Sequence, residues 1–510
     1  MRPVALVALA SIAEAVLAGV AAFVTRDVFA ALHSGSGEAA TALAVLALAA
    51  CLIAGLRVLS RTHAEALGQS FARAVRKALY RHLAGMSRAA LNQRRTGALA
   101  LRFVGDLAAL RGWVGLGIAR LVAAAIVLPG AFLTLYLLSP ALALSAAPTL
   151  LLALGAMAVL APRLEGLQAR LRSARGGLAV SMSERVAIAA ELDVAGRTRR
   201  EIKALEARGA ELQGLAVRHR AMVSALRSLP EIGIGLAGAA VLFTALRQGV
   251  PAAEAAGALA LLGILVVPFR DLATLWDRYC AWRVARRKCA VIFAEPSRLR
   301  RVQKAAAAPE IRIDAVPFGE VRLSAKIAPG GLAWVTGRTE QQVSGLLGAL
   351  SGIDRPAAGK ILFDGKTRPP RLAYIGATPP ILQGSLRRAL TLGLPRRPDD
   401  AVLLKAAEAY GIAPMLERLG GLDARISEIG RGLSPEEVFR LQLARAGVLR
   451  ARVLVIDALA VSDNAPVMAA CLRLYRETGA TTILAARTRP AEAGGADLLP
   501  ALQSSANSTC

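Results

Sequence analysis

Six long apolar stretches constrain this chain more than any other feature in it. Residues 4–24 are apolar apart from Ser11 and Glu14, and residues 39–59 are interrupted only by Arg57 near their end. Residues 121–138 and 141–161 are joined by a tight Ser139-Pro140 turn, and residues 232–246 and 252–267 by RQGVP. Segments of this length cross hydrocarbon as helices, because a helix satisfies its own backbone polar groups where no water can. The 55% apolar content and mean hydropathy of +0.48 exceed what an ordinary soluble protein carries. Arg2 precedes the first stretch and no small-residue cleavage site follows it, so a retained anchor is expected rather than a removed signal peptide.

Charge placement gives the topology. Arg61, Arg73, Arg76, Arg81, Arg88 and Arg94 lie between the second and third stretches, and Arg163, Arg170, Arg172, Arg185 and Arg197 between the fourth and fifth. The other connections are short and nearly free of positive charge. By the positive-inside rule both long connections and both termini face the cytoplasm, so the chain is expected to be integral to a cytoplasmic (inner) membrane. The net charge of +27 is therefore a topology signal, with the lipid bilayer as partner and no nucleic acid required. Helical texture in both connections extends the spans well beyond the membrane. Glu14, a carboxylate inside a span, must face a cavity or pair with a neighbouring helix, and either role is open. The five cysteines and four histidines show no metal-ligand spacing, so no metal site is expected.

The texture changes after the basic, then alanine-rich, stretch 296–309. Short β-branched runs (IRID, GLAWVTG, KILFDG, RLAYIG, RVLVID, TTILAA) alternate with helical segments, the pattern of an α/β domain with a largely parallel sheet. The expected organisation is a six-helix membrane domain at 1–295, a linker at 296–309, an α/β domain at 310–500 and a tail at 501–510.

Residues 329–360, PGGLAWVTGRTEQQVSGLLGALSGIDRPAAGK, set a strand, a glycine turn and a helix from Ser344 in the order of a phosphate-binding loop. Laid on G-x-x-x-x-G-K-[ST], Gly337 and Ser344 keep the outer positions. Gln342 stands where the second glycine belongs and Val343 where the lysine belongs. Such a loop aims backbone N–H groups and a helix N-terminus at an anion, with the lysine adding charge. Val343 removes that ammonium, Gln342 adds a Cβ, and Glu340 places a negative charge in the loop.

Further segments follow in a recognisable order. RRTGALALRFVGDLAALR (94–111) lies between the second and third spans, and RLAYIGATPPILQGSLRRAL (371–390) follows the loop. GLSPEEVFRLQLARAGVLRARVLVIDAL (432–459) and TTILAART (481–488) close the series. Six spans, long cytoplasmic connections and this series resemble an ABC exporter half-transporter across nearly the whole chain. The fold implied is a membrane α-helical domain followed by an α/β P-loop-type nucleotide-binding domain. ATP and Mg²⁺ are the cofactors the resemblance implies, with Gly337, Ser344, Ser434 and Asp457 at the nucleotide and Mg²⁺ positions.

The departures bear on chemistry. Asp457 keeps its place at the end of VLVID, but Ala458 follows it where the family has a general-base glutamate. Ala377 stands for the Q-loop glutamine and Arg487 for the switch histidine. The signature LSGGQ reads Leu433-Ser434-Pro435-Glu436-Glu437. Pro435 has no N–H to donate and suits the first helical position. Ser434 and Glu437 form a capping box, and Glu436 with Glu437 answers the helix dipole from within. In a paired dimer Glu436 is expected near the γ-phosphate bound by the partner, as a repulsive charge. No ATP hydrolysis by this chain alone is expected. Two roles remain open: half of a heterodimeric transporter whose partner protomer carries a complete nucleotide domain, moving a substrate the sequence does not name, or a non-transporting membrane scaffold or regulator.

Overall fold

The computed structural model describes the chain apart from residues 1, 35–39, 95–98, 100–101, 298–306, 319–320, 337–338, 377–382, 395, 428–431, 490–493 and 499–510. Gly337, Ala377, the middle of the expected linker and the tail therefore lie outside the described residues. Two compact units form, one of Met1–Ala84 with Asn92–Ser297 and one of Gly85–Leu91 with Arg298–Cys510.

The first unit is all helix. Its elements are α1 (Arg2–Ser34) and α2 (Ala40–Ala84); the short α3 (Arg88–Asn92) follows them in the chain and falls mainly in the second unit. Next come α4 (Phe103–Leu138), α5 (Pro140–Ala187), α6 (Ala189–Val194), α7 (Thr198–Gln248) and α8 (Ala252–Phe293). Among the described residues, six helices are long and apolar enough to cross a membrane, and each contains one of the six stretches named above. All six are longer than the roughly 30 Å hydrocarbon layer requires, α2, α5, α7 and α8 most of all, as the helical texture of the connections predicts.

Local chemistry sets the helix ends. Ser139 is extended and Pro140 opens α5 at a position where a missing N–H costs nothing. Gly249 closes α7 at φ 65°, and Pro251 starts the next helix. Two π-helical turns, Arg102–Asp106 and Trp113–Gly117, interrupt the start of α4. On α1 the small residues Ala10, Ala18 and Ala22 are buried, while Leu6, Leu9, Val16 and Val20 are exposed. Small buried faces let helices approach closely, and the large side chains are left for lipid.

Several charged groups within the unit are paired. Arg57 places Nε and Nη2 at 2.6 Å from Glu14 Oε1, so Glu14 pairs with a neighbouring helix and also lines a small cavity. Arg120 lies 3.4 Å from Asp271, Arg172 3.3 Å from Asp106 and Arg283 2.9 Å from Glu165.

The second unit is α/β. Strands β1 (Ile311–Phe318), β2 (Val321–Ile327) and β4 (Lys360–Phe363) form an antiparallel sheet in the order β2-β1-β4. A parallel sheet follows the order β10-β3-β9-β8-β5, from β3 (Leu332–Val335), β5 (Leu372–Ile375), β8 (Val453–Asp457), β9 (Thr481–Ala485) and β10 (Ala496–Asp497). β3 and β9 are buried along their whole length, as strands covered on both faces must be. Helix α9 (Glu340–Leu350) packs against β8. β6 (Gly384–Ser385) and β7 (Arg425–Ile426) enclose α10 (Leu386–Thr391), α11 (Asp400–Ala409) and α12 (Ala413–Leu419) in the chain. Helices α13 (Pro435–Leu449) and α14 (Ala465–Thr478) complete it. Residues Gly85–Leu91 belong to this unit although the sequence places them among the membrane helices. The Ala89 N–H donates to Asp354 Oδ1 at 3.2 Å, and the Arg88 guanidinium lies 5.0 Å from the Tyr374 ring centre.

Candidate functional site

The carboxyl ends of β3, β8 and β9 gather the site residues, as expected for a parallel sheet. The helix after β3 begins at Glu340, four residues before the Ser344 start expected from the motif. The reason is visible in the sequence once the fold is known. Val343 extends the stripe Leu346, Leu347 and Leu350 backwards at helical spacing, and Thr339 is extended and stands at the N-cap. The Val343 N–H donates to the Thr339 carbonyl at 3.1 Å, closing that extra turn.

Residues 340–343, half of the anion-binding motif, are therefore helix and not loop. Val343 is fully buried in a cluster with Val335, Leu347, Val455 and Ile483. Glu340 falls in the first turn, where its charge complements the helix dipole. Ser344 is half-buried on the next position of the same helix.

Asp457 ends β8 and accepts from the Leu459 N–H at 3.4 Å. Burial pushes its carboxyl above the usual carboxylate range; the like charge of Glu340 adds to this, while the Leu459 N–H and the Arg88 guanidinium oppose it. Ala458 is fully buried, with its N–H given to the Ala485 carbonyl at 2.9 Å. Arg487 pairs with Asp463 at 3.0 Å, and its N–H donates to Ser462 Oγ, which in turn donates to the Ala458 carbonyl. Neither Ala458 nor Arg487 can take a proton from water, Ala458 having no polar side chain and Arg487 being a permanent cation.

At α13 the capping box is complete. Ser434 Oγ accepts from the Glu437 N–H at 3.1 Å, and Glu437 Oε2 accepts from the Ser434 N–H at 2.8 Å. Burial raises the Glu437 carboxyl, but the Ser434 N–H and the Arg418 guanidinium 2.6 Å away outweigh it and hold the group below its ordinary value.

Glu436 is engaged within the chain. Its Oε1 accepts from Arg440 Nε at 2.7 Å and its Oε2 from Asn464 Nδ2 at 3.0 Å. Asn464 also caps α14 by accepting from the Val467 N–H. Glu436 thus ties two helices together, because i,i+4 spacing brings Arg440 over it.

Gln442 escapes a reading of motifs. It is 2% exposed, accepts from the Gly376 N–H and donates to the Gly376 carbonyl, fixing α13 to the end of β5. A glutamine between Leu441 and Leu443 on an otherwise apolar face is the signal that could have found it.

Comparison with known proteins agrees with this architecture. Residues 4–187 match the ABC transporter transmembrane region. A mycobactin import ATP-binding/permease protein, IrtB of Mycolicibacterium thermoresistibile, is 32% identical over 256 residues, covering 46% of this chain and 43% of that protein. An ABC transporter ATP-binding protein of Streptomyces coelicolor, RamB, is 33% identical over 143 residues, covering 26% and 23%. The matches thus span less than half the length of these relatives. A bacterial Atm1-family ABC exporter solved with ATP bound superposes with a TM-score of 0.78 over 96% of this chain and 91% of that one, at 18% identity, a likeness of fold. Residues 4–187 of this integral membrane protein thus resemble an ABC transporter transmembrane region, and the chain carries the fold seen in an ABC exporter.

Proposed function

We propose that this chain is the non-catalytic half of a heterodimeric ABC exporter-type transporter, with a partner protomer that supplies competent nucleotide chemistry. The observation that carries the reading is the early start of α9. With Val343 in the core and residues 340–343 helical, the motif lacks the lysine ammonium, and four of its positions are helix rather than loop. The residues present do not fit ATP and Mg²⁺: Val343 supplies no ammonium to a phosphate, and Glu340 adds a like charge that acts on Asp457. The intact apolar cores and helix caps support a fold retained for use without turnover. Both termini on the cytoplasmic face of an inner membrane follow from the arginine-rich connections.

Titration of the purified full chain with labelled ATP and Mg²⁺ tests the nucleotide reading. No saturation is expected below millimolar ATP, and a low-micromolar dissociation constant overturns it. Pulldown from native membranes tests the partner: recovery of an ABC protomer with intact motifs is expected. Recovery of the chain without one overturns the heterodimer in favour of a scaffold or regulator.

A further inference from the structure

A small cavity in the membrane unit is lined by five ionisable side chains. Glu14 comes from α1, Arg57 and Arg61 from α2, Arg120 from α4 and Asp271 from α8, around a volume of about 60 Å³. A single water needs about 10–15 Å³ measured this way, so the space takes a small polar group and no more. Three guanidiniums face two carboxylates. Both carboxylates are already engaged, Glu14 by Arg57 and Asp271 by Arg120. Arg61 has no hydrogen-bond or ion-pair partner among the described residues.

Further positive charge acts on Arg120, one of the residues lining this cavity. Arg227 and Arg278, with Arg61, are the like charges that act on Arg120, and Arg227 Nε is buried without a hydrogen-bond partner. A cation entering here meets a net positive field, whereas an oxyanion meets the one group of donors left over. The planar guanidinium fork suits a carboxylate or phosphate better than any other side chain does.

The remaining walls say what the anion is attached to. Leu116, Ala123, Val127 and Val267 are apolar, and the helices that carry them have spanning length and composition. Arg57 lies about 25 Å along α2 from Ala40 and Asp271 about 28 Å along α8 from Ala252, at 1.5 Å per residue. That depth is close to one boundary of a hydrocarbon layer about 30 Å thick. Basic groups between helices at such a boundary favour charged headgroups whose tails stay in the apolar layer.

We propose that this cavity binds the oxyanion headgroup of an anionic amphiphile, with Arg61 as the group that completes its coordination. Its role as cargo rests on the transporter reading; its binding does not. The test needs neither partner nor nucleotide, so its failure leaves the transporter reading intact.

The full chain is purified in neutral dodecyl maltoside, and retention of dodecyl phosphate is followed by native mass spectrometry. One bound dodecyl phosphate is expected, with inorganic phosphate at least 100-fold weaker. Arg61→Gln should weaken retention about tenfold, the loss of one charge-assisted hydrogen bond. Asp271→Asn, which removes a competing carboxylate, should tighten it, and Ala123→Leu, which fills the cavity without changing charge, should abolish it. Equal retention by wild type, Arg61→Gln and Ala123→Leu overturns the site. Equal binding of inorganic and dodecyl phosphate overturns the amphiphile and leaves a free-anion site.

Discussion

The membrane unit and the α/β unit treat their polar groups in opposite ways. In the α/β unit, several positions where a nucleotide would need a free donor or charge are engaged within the chain or lost to the core. Ser434 and Glu437 satisfy each other, Glu436 is held by Arg440 and Asn464, and Val343 lies in the core. In the membrane unit, Arg61 lines a cavity without a partner among the described residues, and the Nε of Arg227 is buried without one. A surface shaped for folding pairs its polar groups internally. One shaped for an outside ligand leaves some of them waiting.

The largest expected effect tests the membrane side. Arg57→Ala strands the Glu14 carboxylate, whose side chain is only 11% exposed. Leaving one member of a buried pair alone costs about 3–5 kcal/mol, to be read as a fall in the thermal midpoint of the micelle-bound chain. Recovery by Glu14→Gln in the same background is expected, and an unchanged midpoint for Arg57→Ala would break the pair's importance.

Val343→Lys comes next and attacks the α/β side of the contrast. Repairing the motif on paper should place an ammonium in a fully buried site, at a cost of about 3 kcal/mol, without ATP binding or hydrolysis. A variant as stable as wild type that binds ATP would show that α9 can unwind its first turn into a working loop. Ser434→Ala should cost about 1 kcal/mol by removing one arm of the capping box, seen as faster amide exchange in the first turn of α13.

Asp457→Asn should have the smallest effect and the clearest sign. Asp457 titrates higher in the folded chain than in the unfolded one, so folding favours its protonated form. Stability from this group is full below the ordinary carboxylate value near 4 and declines as pH rises through the folded value. The asparagine variant should therefore unfold at a slightly higher temperature than wild type at pH 7, with the gain vanishing below about pH 4. A gain that persists at low pH would trace to something other than the carboxylate charge.

Features that depend on near neighbours were legible without a structure. The six spans, the α/β texture and the capping box each rest on residues a few positions apart, where periodicity and i,i+3 hydrogen bonds operate. The start of α9 lay between these cases. Val343 reads as a missing lysine on the motif, but its spacing to Leu346 and Leu347 makes it equally the first residue of a buried stripe. Motif alignment hid that second meaning.

The sequence by itself determined that this chain has six stretches long and apolar enough to cross a membrane, an α/β unit after them, and valine where a phosphate-binding loop has its lysine. Only the tertiary structure decided that Glu14 meets Arg57, that Gly85–Leu91 packs with residues near 354 and 374, and that Gln442 holds Gly376. The physical reason is separation along the chain. Burial and charge mark each of these residues as needing a partner, since an unpaired polar group is costly wherever water is excluded, but which partner arrives depends on how distant elements pack.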